Sequence, residues 1–479
     1  MAVGEPIQAP TAEEWIIASQ LITSMKYSLL CYADMALLEN FTVIPSSLRF
    51  SLCAQGALAI DPKLAFHYYN LARKAIVRDS QQPNQYSAIT YILLSNFLTQ
   101  NGHPMLAGVH FSKAIATLFA CKLNYDPDFV VPTATDTEKE NRRHLFWIMY
   151  FLAKNVEIAV AKYPFRPIDC SKVKFAKKPN STKPLWESPS NEIATVCYIS
   201  GILDLIREAT QLWHKVPSNI LEITNSPILS TLRTRLQILQ TQIPGHLIVS
   251  ADKYLEFTTI FLGREIVSDA LITTIYYYSA VSVMNRPILY LTKYLPSNSP
   301  YLVPLGPIIM STLLESLLAA ETVVGLVSWL LHQCRLGLDG EGGTFRESLW
   351  RDMTLSSLNM FEAVISLWFA LTQTQSFWWN LVSTTASGPN NPNIVQVMDL
   401  NRRIRLRTQV LDVLQTLKDL ETSLACAVSD RIYYANFQST NFITPMVSCI
   451  VKMVEQMEDV EKLVGGFRRR KRRRWKVWQ

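Results

Sequence analysis

Apolar residues recur at steps of three and four along almost the whole chain. Within 11–38, Trp15, Ile17, Leu21, Ile22, Met25 and Leu29 recur at steps of mostly three and four, a helical period. The same spacing predicts helices over 61–78, 86–99, 104–121, 137–160, 190–213, 226–242, 253–285, 308–334, 346–380, 398–429 and 444–464. Alternating strand-like runs closed by Asn-Gly or Asp-Gly turns are lacking, and Asp339-Gly340 sits in a loop over 337–343 between helices. The pattern predicts an all-α, large multi-helix fold.

Proline clusters mark the breaks: Asp126 to Pro132, Pro164 to Pro189, Pro296 to Pro307 and Ser387 to Pro392. The second is lysine-rich and reads as an exposed loop. None is a long Gly/Ser linker, so the expectation is one helical domain over 11–464, a flexible N-terminus over 1–10 and a flexible basic tail over 465–479. One internal echo stands out. Leu64, Ala65, Tyr69 and Ala72 align at an offset of 42 with Leu106, Ala107, Phe111 and Ala114, the small-and-aromatic spacing of closely packed helix pairs.

Composition narrows the classes. Of 479 residues 49% are hydrophobic and 18% charged, with mean hydropathy +0.11, which excludes disordered and collagen-like chains. The net charge of +7 is local: eight of the basic residues lie in the last twelve positions, and setting them aside leaves −1. A broad nucleic-acid-binding face is therefore not expected. Eight scattered cysteines, none paired at Cys-x-x-Cys spacing, read as buried free thiols of a reducing compartment. The N-terminus has no secretory pattern, and the apolar stretch from Ala363 to Leu371 is too short to span a bilayer. The reading is a soluble intracellular protein with no membrane partner.

Signatures of catalysis are missing. The chain has no Gly-x-Ser-x-Gly elbow, no phosphate-binding loop with its lysine and no His-x-x-x-His pair. His332 and Cys334 stand two apart, on different faces of a helix. No enzyme activity, metal or cofactor is expected of these residues.

The richest stretch runs from Thr137 to Pro167. Thr137 and Glu140 have capping-box spacing, and Asp136 and Glu138 suit the positive end of a helix dipole. After Arg142 and Arg143 the residues are apolar on nearly every side, through Phe146, Trp147, Ile148 and Tyr150. Such a helix must be buried on most faces. It ends before Pro164.

Acid, Arg-Arg, two residues, Phe-Trp and an aromatic three positions on resembles the central regulatory domain of fungal binuclear zinc-cluster transcription factors, the fungal-specific transcription factor domain or middle homology region. The resemblance extends to Ile89–Asn124, to Leu236–Leu247 and to Ile275–Leu289, an aromatic helix closed by Arg286 and Pro287. It covers about 65–330. It implies a regulatory domain in the nucleus, with Glu140, Arg142, Arg143, Phe146, Trp147, Tyr150, Pro164, Arg286 and Pro287 as structural family positions. Two departures stand out: Ala153 and Lys154 where the family usually carries an Asp, and Lys162-Tyr163 where it carries Gly-Arg before the proline.

The family's DNA-binding module holds two zinc ions in six closely spaced cysteines. Here Cys31 and Cys53 are alone in the first 120 residues. Zinc and DNA contacts are thus expected only through a module or partner outside these residues. The partners implied are proteins of the transcription machinery or another regulator, with a small-molecule effector between helices. Cys121, Trp147 and Tyr276–Tyr278 are candidates to line an effector cavity, core packing being the other reading. A tetratricopeptide-like interaction scaffold and a lipid-handling helical protein are the competing classes. At the end of the chain, Arg468, Arg469, Arg470, Lys471, Arg472, Arg473 and Arg474 read either as a solvated tail or as a nuclear-import signal.

Overall fold

The computed structural model describes residues 9–25, 40–58, 61–79, 83–101, 103–159, 168–174, 192–213, 220–245, 247–249, 268–294, 302–336, 360–373, 405–415, 449, 451–453 and 455–456. Among these no residue lies in a strand, and the fold is all-α. They fall into two compact units, one up to Leu203 and the other from Asp204 onward.

The first unit contains α1 (Ala12–Met25), α2 (Ser46–Ala57), α3 (Pro62–Asp79), α4 (Gln85–Gln100), α5 (Pro104–Ala120), the single turn α6 (Pro127–Val130) and α7 (Asp136–Ala159). The division falls inside α8 (Glu192–Trp213). Six of the predicted helices, at 61–78, 86–99, 104–121, 137–160, 190–213 and 226–242, appear within two residues of their expected bounds, but α2 does not follow from periodicity. Its Ser47, Arg49 and Ser51 are buried along with Leu48, Phe50, Leu52 and Cys53, so no polar face remains to mark a period.

Two of those buried polar side chains have clear partners. The Ser51 hydroxyl donates to the Leu48 carbonyl at 2.8 Å, and the Arg49 guanidinium, 2% exposed, meets the Glu14 carboxylate at 2.9 Å. The Arg49 guanidinium also lies 5.0 Å from the Phe50 ring centre. Glu14 serves α1 as well: Thr11 and Glu14 cap each other's backbone amides at 3.4 and 3.2 Å. One carboxylate therefore starts α1 and neutralises the charge that α2 buries. Burial, with Glu14 close by, pushes the Cys53 thiol far up, so this cysteine is a packed, unreactive group. Among the other described cysteines, Cys197 is buried, Cys121 and Cys170 are half-buried and Cys449 is exposed, so burial of all the thiols is too broad an expectation.

α2 packs along α3, α4 along α5, and α2 also against α4. The echoing residues occupy the second helix of each hairpin: Ala65, Tyr69 and Ala72 on α3, and Ala107, Phe111 and Ala114 on α5, are all buried. α4 starts under the Asn84 side chain, which accepts from the Ser87 amide at 3.0 Å. Between the hairpins Tyr69 stacks on Phe97 at 4.8 Å, and its hydroxyl faces His110 Nε2 at 3.4 Å. Burial, aided by Lys113 and Arg73, lowers the His110 pKa to about 4.

The second unit contains α9 (Ile220–Thr224), α10 (Pro227–Gln242), α11 (Ser268–Tyr294), α12 (Leu302–Leu336), α13 (360–371) and α14 (405–415). α10 is a surface helix that buries a leucine seam, Leu229, Leu232 and Leu236, and starts under the Ser226 hydroxyl. The aromatic helix, expected to close at Arg286-Pro287, does not stop there: α11 runs through Pro287 to Tyr294. Proline removes one hydrogen bond at that point, and burial of Ile288 and Leu289, with Tyr290 packed 5.1 Å from Phe369, offsets the loss. α12 also starts earlier than expected, with Pro304 in its first turn, where amide donors have no helical partner. Its window Ser311–Trp329 has hydropathy 1.3 and the length of a membrane span, so it comes nearer to a span than 363–371 does, and 72% of it is buried inside the fold.

Two outcomes are expected. A Cβ on Gly56 would stand 2.7 Å from the Ile17 carbonyl oxygen, so Gly56→Ala should force α1 off α2 and lower stability by about 1–3 kcal/mol in urea denaturation. Because His110 binds its proton less readily folded than unfolded, stability should be full above about pH 6.5 and decline as pH falls toward 4. His110→Phe should flatten that limb of the melting-temperature profile.

Candidate functional site around Arg143

α5 ends in a tight reversal. Lys122 adopts the left-handed conformation, φ 54°, and the Leu123 amide reaches back to the Leu118 carbonyl at 2.9 Å. Arg142 Nη2 donates to the Cys121 carbonyl at 2.8 Å, so the first arginine of the Arg-Arg pair closes the end of α5. A few residues on, Asp126 caps α6 by accepting from the Asp128 amide at 3.1 Å.

α7 begins in a different register from the one expected. The Thr135 hydroxyl, not Thr137, accepts from an N-terminal amide, that of Glu138 at 3.2 Å. Thr135-x-x-Glu138 has the same capping-box spacing as Thr137-x-x-Glu140, and its use frees Glu140 to pair with Arg143.

Arg143 is the hub. Its Nε and Nη2 bind both oxygens of Asp126 at 3.1 and 2.8 Å, Nη2 also meets Asp128 at 2.8 Å, and Nη1 meets Glu140. The segment 168–174 completes the cluster. Asp126 donates its amide to the Lys172 carbonyl at 3.0 Å and accepts from the Lys174 amide at 2.9 Å, while Lys174 Nζ reaches Asp128 at 2.8 Å. Asp126 thus accepts four hydrogen bonds while almost wholly buried. Burial alone would raise its pKa; the bonds from Arg143 and from the Lys174 and Asp128 amides outweigh that and hold the carboxyl well below its usual range. The bond to Asp126 correspondingly raises Arg143.

One turn further, Trp147 Nε1 donates to the Lys174 carbonyl at 3.0 Å, pinning the same segment from its apolar side. Phe146, Trp147 and Tyr150 form one buried aromatic layer, with ring centres 5.4 to 6.0 Å apart. Lys154, near the position where the resembling family carries an Asp, is buried, pairs with Glu157 at 3.2 Å and lies 5.0 Å from the Tyr150 ring centre.

Comparison with family models, curated proteins and solved structures finds no match to this chain.

Chemically, the cluster is a joint. Both oxygens of Asp126 are taken up by Arg143 and by backbone amides, and the neighbouring cations hold Asp126 and Asp128 below the usual carboxylate range. Among the described residues no three His, Cys, Asp or Glu side chains stand where they could share a metal ion. Glu140, Arg142, Arg143, Phe146, Trp147 and Tyr150 all meet in or beside this joint. Arg286 and Pro287 belong to the second unit, where Arg286 pairs with Glu362. Pro164 and Arg468–Arg474 lie outside the described residues. Of the effector candidates, Cys121 and Trp147 belong to the first unit and Tyr276–Tyr278 to the second, where Tyr276 is core and Tyr277 donates to Gln240 at 2.8 Å. Periodicity carries no hint of Asp126, Asp128 or Lys174, although Asp-Pro-Asp opening a turn is a capping signal.

Removing Asp126 takes from the buried Arg143 its two-oxygen partner and leaves it the more exposed Asp128 and Glu140. Asp126→Ala should therefore cost about 3–5 kcal/mol in urea denaturation. It should also remove part of the stability that the native protein loses as pH falls below about 4. Trp147→Ala should cost a similar 3–5 kcal/mol through lost packing.

Proposed function

We propose that the chain is the regulatory domain of a fungal transcription regulator of the zinc-cluster type, acting in the nucleus through protein contacts and a small effector. The controlled genes are of a metabolic or secondary-metabolite pathway. DNA contacts, and the zinc they need, come from a module or partner beyond these 479 residues.

The observation that carries this reading is the division of labour on α7. In the resembling pattern acid, Arg-Arg and Phe-Trp recur together, and here each does something different for the fold. Glu140 and Arg143 build the joint, Arg142 holds the end of α5, and Phe146 and Trp147 form the aromatic layer. The helical blocks before and after it, α4–α5 and α10–α11, also keep the family's order.

A second reading, a tetratricopeptide-like interaction scaffold with no DNA role, draws on the successive hairpins α2–α3 and α4–α5 with their echoing small residues. Tethering separates the two. Fused to a heterologous DNA-binding domain in a fungal host, the chain should change reporter transcription several-fold. An unchanged reporter at equal expression favours the scaffold.

The tail belongs to the same proposal. Residues 464–479 fused to a cytoplasmic reporter should bring it into the nucleus, and replacing Arg468–Arg474 by alanine should abolish that movement. A reporter that stays cytoplasmic removes the tail from the functional account.

A further inference from the structure

The charge of the body is near zero only on average. Between residues 62 and 125 the chain carries six Lys or Arg residues and one acid, Asp79. α4 has no charged residue, so the excess gathers on α3, α5 and the reversal after α5.

The fold then brings part of it together. α3 and α5 meet through Tyr69 and His110, whose ring centres are 6.3 Å apart. Arg73 stands one turn beyond Tyr69, and Lys113 one turn beyond His110. Each cation thus follows, by one helical turn, one member of a pair whose side chains approach to 3.4 Å, so the contact of Tyr69 with His110 sets the two cations on neighbouring helices at the same level. Arg73, Lys74 and Lys113 are exposed, and among the described residues none of the three has an acidic partner. Lys113 leans on the Tyr91 ring, 5.8 Å from its centre, rather than on a carboxylate. Elsewhere in the first unit the contrast is plain: Arg49, Lys139, Arg143, Lys154, Lys172 and Lys174 all have carboxylates.

Aliphatic side chains interleave with these charges at helical spacing. Val77 follows Arg73 by four residues and is 69% exposed; Val109 precedes Lys113 by four and is 53% exposed; Leu106 is 45% exposed. Cations without carboxylates, alternating with exposed aliphatics, complement a helix that carries acids and leucines in the same alternation. Single-stranded nucleic acid would call for exposed aromatic rings to stack its bases, and the tyrosines here, Tyr69 and Tyr91, are buried.

We propose that the outer face of α3 and α5 is a docking surface for an acidic amphipathic helix of a partner protein. Arg73 and Lys113 supply the central electrostatic contacts, and Val77, Leu106 and Val109 the apolar ones. The inference stands apart from the regulator reading, since direct binding to the face succeeds or fails whatever the tethering assay gives.

The test uses the full chain and a fluorescein-labelled peptide of about 18 residues, with leucines at i, i+3, i+4 and i+7 and glutamates elsewhere. Fluorescence anisotropy should show micromolar binding that weakens with salt. Binding should persist in a chain with Arg468–Arg474 replaced by alanine, which separates the face from the basic tail. In that background Arg73→Glu with Lys113→Glu should weaken binding at least tenfold, and Arg73→Gln with Lys113→Gln several-fold, with unchanged circular dichroism melting. Val77→Ser should also weaken it. Binding that survives both double substitutions, or disappears with the tail alone, would overturn the proposal. So would a single-stranded oligonucleotide or phosphatidylserine vesicles binding through Arg73 and Lys113 more tightly than the peptide.

Discussion

A guanidinium taken out of water must find its counter-charges inside the protein, and the first unit is arranged around that demand at Arg143. An ion of this size loses several kcal/mol of hydration on burial, and only close, multiple, well-directed partners recover it. Asp126, Asp128 and Glu140 supply them. Meeting all three at once fixes where α6 lies against α7, how the chain reverses after α5 and where 172–174 runs. The aromatic layer then follows. Trp147 can donate to the Lys174 carbonyl only because Asp126 has already brought that backbone to α7.

The same logic recurs at smaller scale. Arg49 is buried in α2, and the carboxylate that neutralises it, Glu14, also caps α1. The charge pair lets α2 be buried on all sides, and Gly56 lets α1 come within contact of its backbone. In the second unit Arg233 Nη2 donates to Asn285 at 2.5 Å, and Asn285 in turn donates to Glu315 at 3.3 Å, joining α10, α11 and α12. Apolar burial provides the bulk of the driving force in each unit. The polar links, being directional, select one register among the many that apolar packing alone would tolerate.

This division explains what can be read from the chain. Helices with one wet and one dry face, such as α3, α5 and α10, announce themselves by period, and their bounds lie within a few residues of the expected ones. α2 stays hidden because a helix dry on every side has no period, and the partners of its Arg49 and Ser51, Glu14 and the Leu48 carbonyl, are ones that spacing does not identify. The start of α7 is ambiguous between two capping boxes two residues apart. The i,i+3 pairing of Glu140 with Arg143 goes with the first, and capping-box spacing alone does not weigh that competing partner. Pro287 reads as a stop because proline is costly in a helix interior, yet buried Ile288 and Leu289 carry α11 through it. At the joint itself, Arg142, Arg143, Phe146 and Trp147 are legible as a set from one helix. Their partners are not, because Asp126 and Lys174 are 17 and 31 residues away from Arg143 in sequence and meet it only in the fold.

Charge shows the same limit from the other direction. A formal sum treats all 46 basic residues alike and assigns the excess to the tail. The fold sorts the described cations by their surroundings. Arg143 and Arg49 are neutralised in the interior and project little field outward. Lys172 and Lys174 hold surface carboxylates and do nearly the same. Arg73, Lys74 and Lys113 are exposed and have no carboxylate among the described residues, so their field extends about a Debye length into solvent, roughly 8–10 Å at physiological salt. A partner approaching the first unit senses that minority of unneutralised charges rather than the sum. Net charge near zero therefore coexists with a face that selects for acid, because neutralisation in proteins is local and recognition samples only what is left over.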